Sequence, residues 1–202
     1  MDEMMKESLI VPVFTPNRTA LLLMDMQHFT LAMLEDPAGL LEQARSARRA
    51  ALDADIEVVH VRVAFTEEDH AAVPDHHRVF AAVASSGIAA EGTPEVAIHP
   101  DVRPEPHEHV VTKTRIGALT TTQLDEFLRE REINTLVLAG LTTSGVVLST
   151  ITDAADRDYR LFVLSDACAD PNQDLHETLL SSVVPQHAEV LTTAEFTTAL
   201  HR

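Results

Sequence analysis

The strongest constraint on this chain lies between Asn134 and Thr150. Asn134-Thr-Leu-Val-Leu-Ala139 is a short apolar run rich in strand formers. Gly140-Leu141-Thr142-Thr143-Ser144-Gly145-Val146-Val147-Leu148-Ser149-Thr150 follows it. Beyond that, apolar and small residues recur at helical spacing through Ala155. The pattern is a strand, a tight polar turn and a helix N-terminus. Unpaired backbone N–H groups at such a terminus point outward and carry partial positive charge. They suit a developing oxyanion or an anionic substrate group.

The remaining segments repeat this alternation. Arg18 to Met26 is a near-continuous apolar run, the mark of a strand buried on both faces. Leu40, Leu41, Ala44, Ala47, Ala51 and Leu52 form a helical stripe over Pro37–Asp53. Ile56–Phe65, His109–Lys113, Arg160–Asp166 and Glu189–Leu191 read as further strands. Thr120–Glu132, 144–158, Asp174–Val184 and Thr193–His201 read as helices. Between Thr66 and Pro94 there is no strong period beyond a helical piece near Val79–Ala84, and a long irregular segment of this kind suits a lid or binding loop. Strands alternating with helices imply an α/β fold: a three-layer, Rossmann-like, mostly parallel sheet with helices on both faces. At 202 residues, one domain is expected, with residues 1–17 as a surface arm.

Charge and cysteine content narrow the function classes. The formal net charge of -17 argues against nucleic acid and anionic membrane as partners. No apolar run is long enough for a membrane span. The N-terminus is acidic and lacks a signal-peptide core, and Cys168, the single cysteine, has no partner for an internal disulfide. These features read as cytoplasmic.

The turn after Ala139 resembles the signature of the isochorismatase-like hydrolases, also called the cysteine hydrolase superfamily. Most members carry a nucleophilic cysteine where this chain has Val146. Leu21-Leu-Leu-Met-Asp25-Met-Gln27 resembles the family's first-strand motif, which holds a catalytic aspartate. Val110-Val-Thr-Lys113-Thr-Arg-Ile-Gly-Ala-Leu119 resembles the segment with its catalytic lysine. The match runs in order from Arg18 to Thr193. It implies a small-molecule substrate and a homo-oligomer. Family members that bind a metal do so through an Asp-x-His pattern after the second strand; here that place reads Val61-Arg62-Val63-Ala64-Phe65. Neither a metal nor another cofactor is expected, and His70, His76 and His77 read as solvated loop histidines.

Asp25 and Lys113 both end strands, where open α/β sheets bind ligands. A carboxylate after a run of Leu and Met needs a partner or a task. The resemblance makes Asp25 the acid/base and Lys113 its neighbour. Lys113 would lower the Asp25 pKa, so an acid role requires burial strong enough to offset it. Val146 excludes a thioester or thio-adduct route from its position. Isochorismatases themselves also lack the cysteine and hydrolyse a vinyl ether, although their motif differs from Leu141-Thr142-Thr143-Ser144. Thr142, Thr143, Ser144 and Gly145 form the expected anion cradle. Arg62 and Arg115 are expected to flank the pocket and suit carboxylate recognition, and Phe29 to line it. Two other readings stay open: an inactive ligand-binding or structural member, and an amidase using Ser144 or Cys168.

Overall fold

The computed structural model describes residues 12–201. Residues 1–11, most of the expected arm, and Arg202 lie outside the described residues. The described end of that arm does more than cover the surface. Phe14 is buried, with its ring centroid 4.8 Å from Phe162 and 5.1 Å from Phe196.

Six strands form one sheet: β1 Thr19–Met24, β2 Glu57–Val63, β3 His109–Lys113, β4 Thr135–Leu141, β5 Arg160–Ala169 and β6 Glu189–Leu191. Their order is β3-β2-β1-β4-β5-β6 and every pairing is parallel. The order reverses between β1 and β4, which opens a crevice outside their carboxyl ends.

Every residue of β1 and β4 is buried, so the side chains of both faces need cover. The two-residue strand period divides them. Leu22, Met24, Leu136 and Leu138 face α5 Leu124–Glu130 and α6 Leu148–Ala155. Leu21, Leu23, Val137 and Ala139 face α2 Ala38–Asp53 and α8 Thr193–Leu200. The three-layer α/β arrangement therefore follows from alternation within two runs that look uniformly apolar.

The helices depart from the simple reading in two places. The helix expected from residue 144 opens instead as a wide turn over Thr143–Val147, with α6 regular only from Leu148. The helix expected over Asp174–Val184 is α7, Gln173–Thr178, followed by a second wide turn, Leu179–Val183. In both, side chains compete for the backbone: Thr143 and Ser144 bond to β5 and its following loop, and Ser181 bonds back to the Glu177 carbonyl.

The segment from Thr66 to Pro94 is not a featureless loop. It contains α3 Glu67–Ala71 and α4 Phe80–Ser86. Val63, Ala64, Phe65, Val73, Phe80, Ala89 and Val96 make a small apolar cluster of their own, joined by Phe29 and Ile116. Phe29 follows Asp25 and Ile116 follows Lys113, so this cap rests on the loops that leave both strand ends.

Candidate active site

Strand register brings three sequence-distant segments together. Met24 pairs with Gly140, and Val63 with Lys113. A Cβ on Gly140 would lie 2.7 Å from the Met24 carbonyl oxygen, so only glycine lets β4 approach β1 this closely. Asp25, Lys113 and the turn after Leu141 consequently emerge on one edge of the sheet.

Lys113 stands two strands away from β1, about 10 Å at ordinary strand spacing. Its four-carbon stem reaches over the end of β2, and Nζ lies 2.9 Å from Asp25 Oδ2. Nζ also donates to the Arg115 carbonyl at 3.2 Å. Both side chains are almost fully enclosed, 2% and 7% exposed. Asp25 Oδ1 is buried and has no hydrogen-bond partner. Burial pushes the Asp25 carboxyl above its usual value, and Lys113 pulls it down by less. The carboxyl thus holds its proton to higher pH than an exposed aspartate.

Asp25 adopts a left-handed backbone, φ 58°, a region that non-glycine residues seldom occupy. Its neighbours fix it there. The Asp25 N–H donates to the Val61 carbonyl at 2.8 Å, and Thr30 Oγ1 donates to the Asp25 carbonyl. Gln27, fully buried, donates from Nε2 to the carbonyls of Val63 and Val96 and accepts the Val63 N–H on Oε1. One amide therefore clamps the ends of β1 and β2 to the cap. Gln27 and Thr30 are positioning residues that the linear motif does not single out.

The turn is more occupied than an open cradle. The Leu141-Thr142 peptide is cis. The Thr142 carbonyl accepts the N–H groups of Gly145 and Val147 at 3.3 and 3.2 Å. The Ser144 N–H and hydroxyl both donate to Asp170 Oδ2, at 2.9 and 2.6 Å. Asp170, not Asp25, is thus the carboxylate beside Ser144, and it holds both donors as a cap. Thr143 is buried; its hydroxyl donates to the Ala169 carbonyl at 3.1 Å and lies 2.8 Å from His176 Nδ1. Val146 is buried in the apolar layer beneath the turn.

The two arginines differ. Arg62 is engaged by Glu91 at 2.5 Å and Thr112 at 3.0 Å. Arg115 donates to the Thr114 carbonyl at 2.6 Å and makes no ion pair among the described residues. Phe29 is half-buried against the cap. Cys168 is buried and its thiol is pushed up to about 12, a packed and unreactive state.

The histidines of the cap are not all solvated. His76 is exposed, but His77 Nδ1 accepts the Phe80 N–H at 3.1 Å. The His70 ring stacks on Phe65, centroids 5.0 Å apart and planes 8° from parallel, and its Nε2 is buried. The apolar cluster of the cap, too short in period to stand out in the sequence, leaves His70 and His77 half-buried and His76 exposed. Among the described residues no three His, Cys, Asp or Glu side chains are grouped to hold a metal ion.

Comparison with known proteins adds to this geometry. The Isochorismatase domain family matches residues 19–195. A maleamate amidohydrolase from Pseudomonas putida is 29% identical over 172 residues, covering 80% of this chain and 71% of that protein. A ureidoacrylate amidohydrolase from Methylobacterium radiotolerans is 34% identical over 119 residues, 58% of this chain and 46% of that one. An isochorismatase family protein from Burkholderia thailandensis superimposes with a TM-score of 0.80 at 26% identity, over 95% of this chain and 100% of that chain.

Proposed function

The chain belongs to the isochorismatase family of hydrolases, and on that premise we propose that it hydrolyses a small molecule by Asp25/Lys113 acid–base chemistry without a cysteine nucleophile. The observation that carries this reading is the free, buried Oδ1 of Asp25 beside the Lys113 ion pair. A dead site has no reason to keep a strained, half-satisfied carboxylate in the core.

The pKa direction supports an acid role. Because burial outweighs Lys113, Asp25 can hold a proton and deliver it from Oδ1. With a vinyl ether, the proton goes to the terminal alkene carbon and leaves an oxocarbenium ion. Water adds at the cationic carbon and returns a proton to Asp25. The hemiketal then breaks its C–O bond to give an alcohol and a carbonyl compound. Lys113 holds the carboxyl in place and favours the carboxylate form once the proton has left. In related C–N cleavage water adds at the carbon and gives up a proton, the C–N bond breaks, and Asp25 delivers a proton to the departing nitrogen. The two amidohydrolase relatives make amides conjugated to a carboxylate a natural second class to assay. We further propose that the described region functions as one domain, and as a homo-oligomer in solution.

The test is a screen of vinyl ethers, amides and esters on the wild type and on Asp25→Asn. Turnover that disappears in Asp25→Asn and persists after iodoacetamide treatment is the expected result. Activity destroyed by alkylating Cys168, with substrate protecting, would make Cys168 the nucleophile. Activity that survives Asp25→Asn but not Ser144→Ala would support an amidase built on the Ser144–Asp170 pair.

A further inference from the structure

The wide turn over Thr143–Val147 is gripped by a single stretch of chain, the end of β5 and the start of α7. Wide turns of this kind are rare and occur mostly at functional sites. β5 is shaped to reach it. Leu138 pairs with Val163 but Gly140 pairs with Cys168, so residues 164–167 of β5 all stand opposite Ala139. Such a bulge re-aims the strand beyond it. Here it returns Ala169 to Leu141, at the foot of the turn, with Asp170 next to it.

From there a closed circuit of hydrogen bonds runs. Ser144 gives its N–H and its hydroxyl to Asp170 Oδ2. Asp170 Oδ1 accepts the Asn172 N–H at 3.1 Å. Asn172 caps α7, its side-chain oxygen accepting the Leu175 N–H at 3.1 Å and its carbonyl the His176 N–H at 3.0 Å. His176 then returns to the turn, with Nδ1 lying 2.8 Å from the Thr143 hydroxyl oxygen. The partners fix the direction of that last bond. The Thr143 hydroxyl has one proton, and the Ala169 carbonyl, 3.1 Å away, can only accept it. His176 is therefore the donor, through Nδ1–H, and Nε2 is the unprotonated nitrogen of the neutral ring. Burial holds His176 below its usual value, in keeping with the neutral ring.

We propose that His176 is a positioning residue for the active site: its Nδ1–H orients the Thr143 hydroxyl and, together with Asp170, holds the 142–147 turn as one wall of the sheet edge that carries Asp25 and Lys113. Its consequence for turnover rests on the hydrolase reading above. The hold on the turn rests on geometry and is measurable without turnover. His176→Asn is the informative variant, because an asparagine side-chain N–H falls at about the place of Nδ1–H, whereas glutamine puts its N–H near that of Nε2.

Histidine side-chain nitrogen NMR at pH 8, with the His176 signal assigned by its loss in His176→Asn, should show a protonated Nδ1 and an unprotonated Nε2. Amide hydrogen exchange should quicken about threefold or more at 142–147 in His176→Ala and stay unchanged in β1. The wild-type rate should return in His176→Asn but not in His176→Gln. With a substrate from the screen, His176→Ala should lower kcat by about fivefold or more with KM within about twofold, and His176→Asn should recover most of the loss. A protonated Nε2 with a bare Nδ1, exchange that is unchanged at the turn or quickened throughout the sheet, recovery in His176→Gln rather than His176→Asn, or an unchanged kcat in His176→Ala would each overturn the proposal. A wild type that hydrolyses nothing in the screen, with the tautomer and the exchange as expected, would sink the acid–base reading and leave the hold on the turn standing.

Discussion

Among the described residues, two carboxylates, Glu108 and Asp25, are buried beside a cation, and they are treated in opposite ways. Glu108 sits in the loop before β3. Its Oε1 accepts from Arg48 Nε at 2.8 Å and lies 3.3 Å from His60 Nε2, while Oε2 takes Arg48 Nη2 and the Glu105 N–H at 2.6 Å. Asp25 has Lys113 on one oxygen and nothing on the other. Burial alone would raise both carboxyls. For Glu108 the donors from Arg48, Glu105 and His60 together win and hold it below its usual value. For Asp25 burial wins. A saturated carboxylate is a fastener that joins α2, β2 and the approach to β3. An unsaturated one is a group with capacity to spare. Burial by itself does not distinguish the two carboxylates; the number of lone pairs that are satisfied does.

That contrast can be broken by substitution. Asp25→Asn should reduce turnover of whichever screened compound the wild type hydrolyses by roughly 10²–10⁴-fold, the usual worth of a general acid–base group. Glu108→Gln should leave that turnover within about tenfold, because Glu108 touches no reacting atom. Comparable losses of activity in both variants would erase the distinction.

Stability should divide the other way. Glu108→Ala leaves Arg48 and His60 without their acceptor and should cost about 3 kcal/mol or more in chemical denaturation, as for other broken buried pairs. A loss under about 1 kcal/mol would mean that the network is not the fastener its geometry suggests.

A smaller effect sharpens the catalytic side of the comparison. Val146→Cys places a thiol in the turn that follows β4, at a packing cost of less than about 1.5 kcal/mol. Its iodoacetamide labelling should exceed that of Cys168, whose thiol is pushed up to about 12, by about tenfold or more at pH 8. The Cys168→Ala background isolates the new thiol. An equally slow reaction at both positions would show that the edge around Val146 no longer activates a nucleophile.

The smallest expected effect is one of pH on stability. Burial holds His60 below its usual value, with Glu108 opposing. The unfolded chain therefore takes up that proton first, and stability falls as pH drops below about 6.5 toward the folded value. Glu108, held low, contributes stability that is complete above about pH 4.5 and is lost as pH falls through its folded value. Asp25 runs opposite: its raised value means that protonation relieves a buried charge, so its contribution improves as pH falls through its folded value. Denaturation midpoints for the wild type and His60→Gln across pH 4–8 should show a shallower first decline in the variant, the remainder coming from His109 and His176, which burial also holds low.

The sequence by itself determined the architecture and pointed to the buried Asp25–Lys113 pair. Runs such as Ala20–Met24 and Leu136–Ala139 are apolar without interruption, and such runs bury both faces only in a sheet covered by helices on each side. The helical stripe over 38–53 supplies one of those covers. Asp25 and Lys113 were legible because each ends a strand within a segment that resembles the family's motifs; position alone left a solvated or structural role open for both. What the linear pattern left open was decided by partners far away in sequence. Ser144 is held by Asp170, Arg62 by Glu91, and Gln27 by Val63 and Val96. His70 looked solvated because its burial comes from Phe65 and the cap cluster, not from its own neighbours in the chain. Apolar periodicity is a local property, so it survives in one dimension. The pairing or non-pairing of a polar atom is a property of three-dimensional neighbours, so only the tertiary structure could show that Asp25 Oδ1 and His70 Nε2 are buried and unmatched.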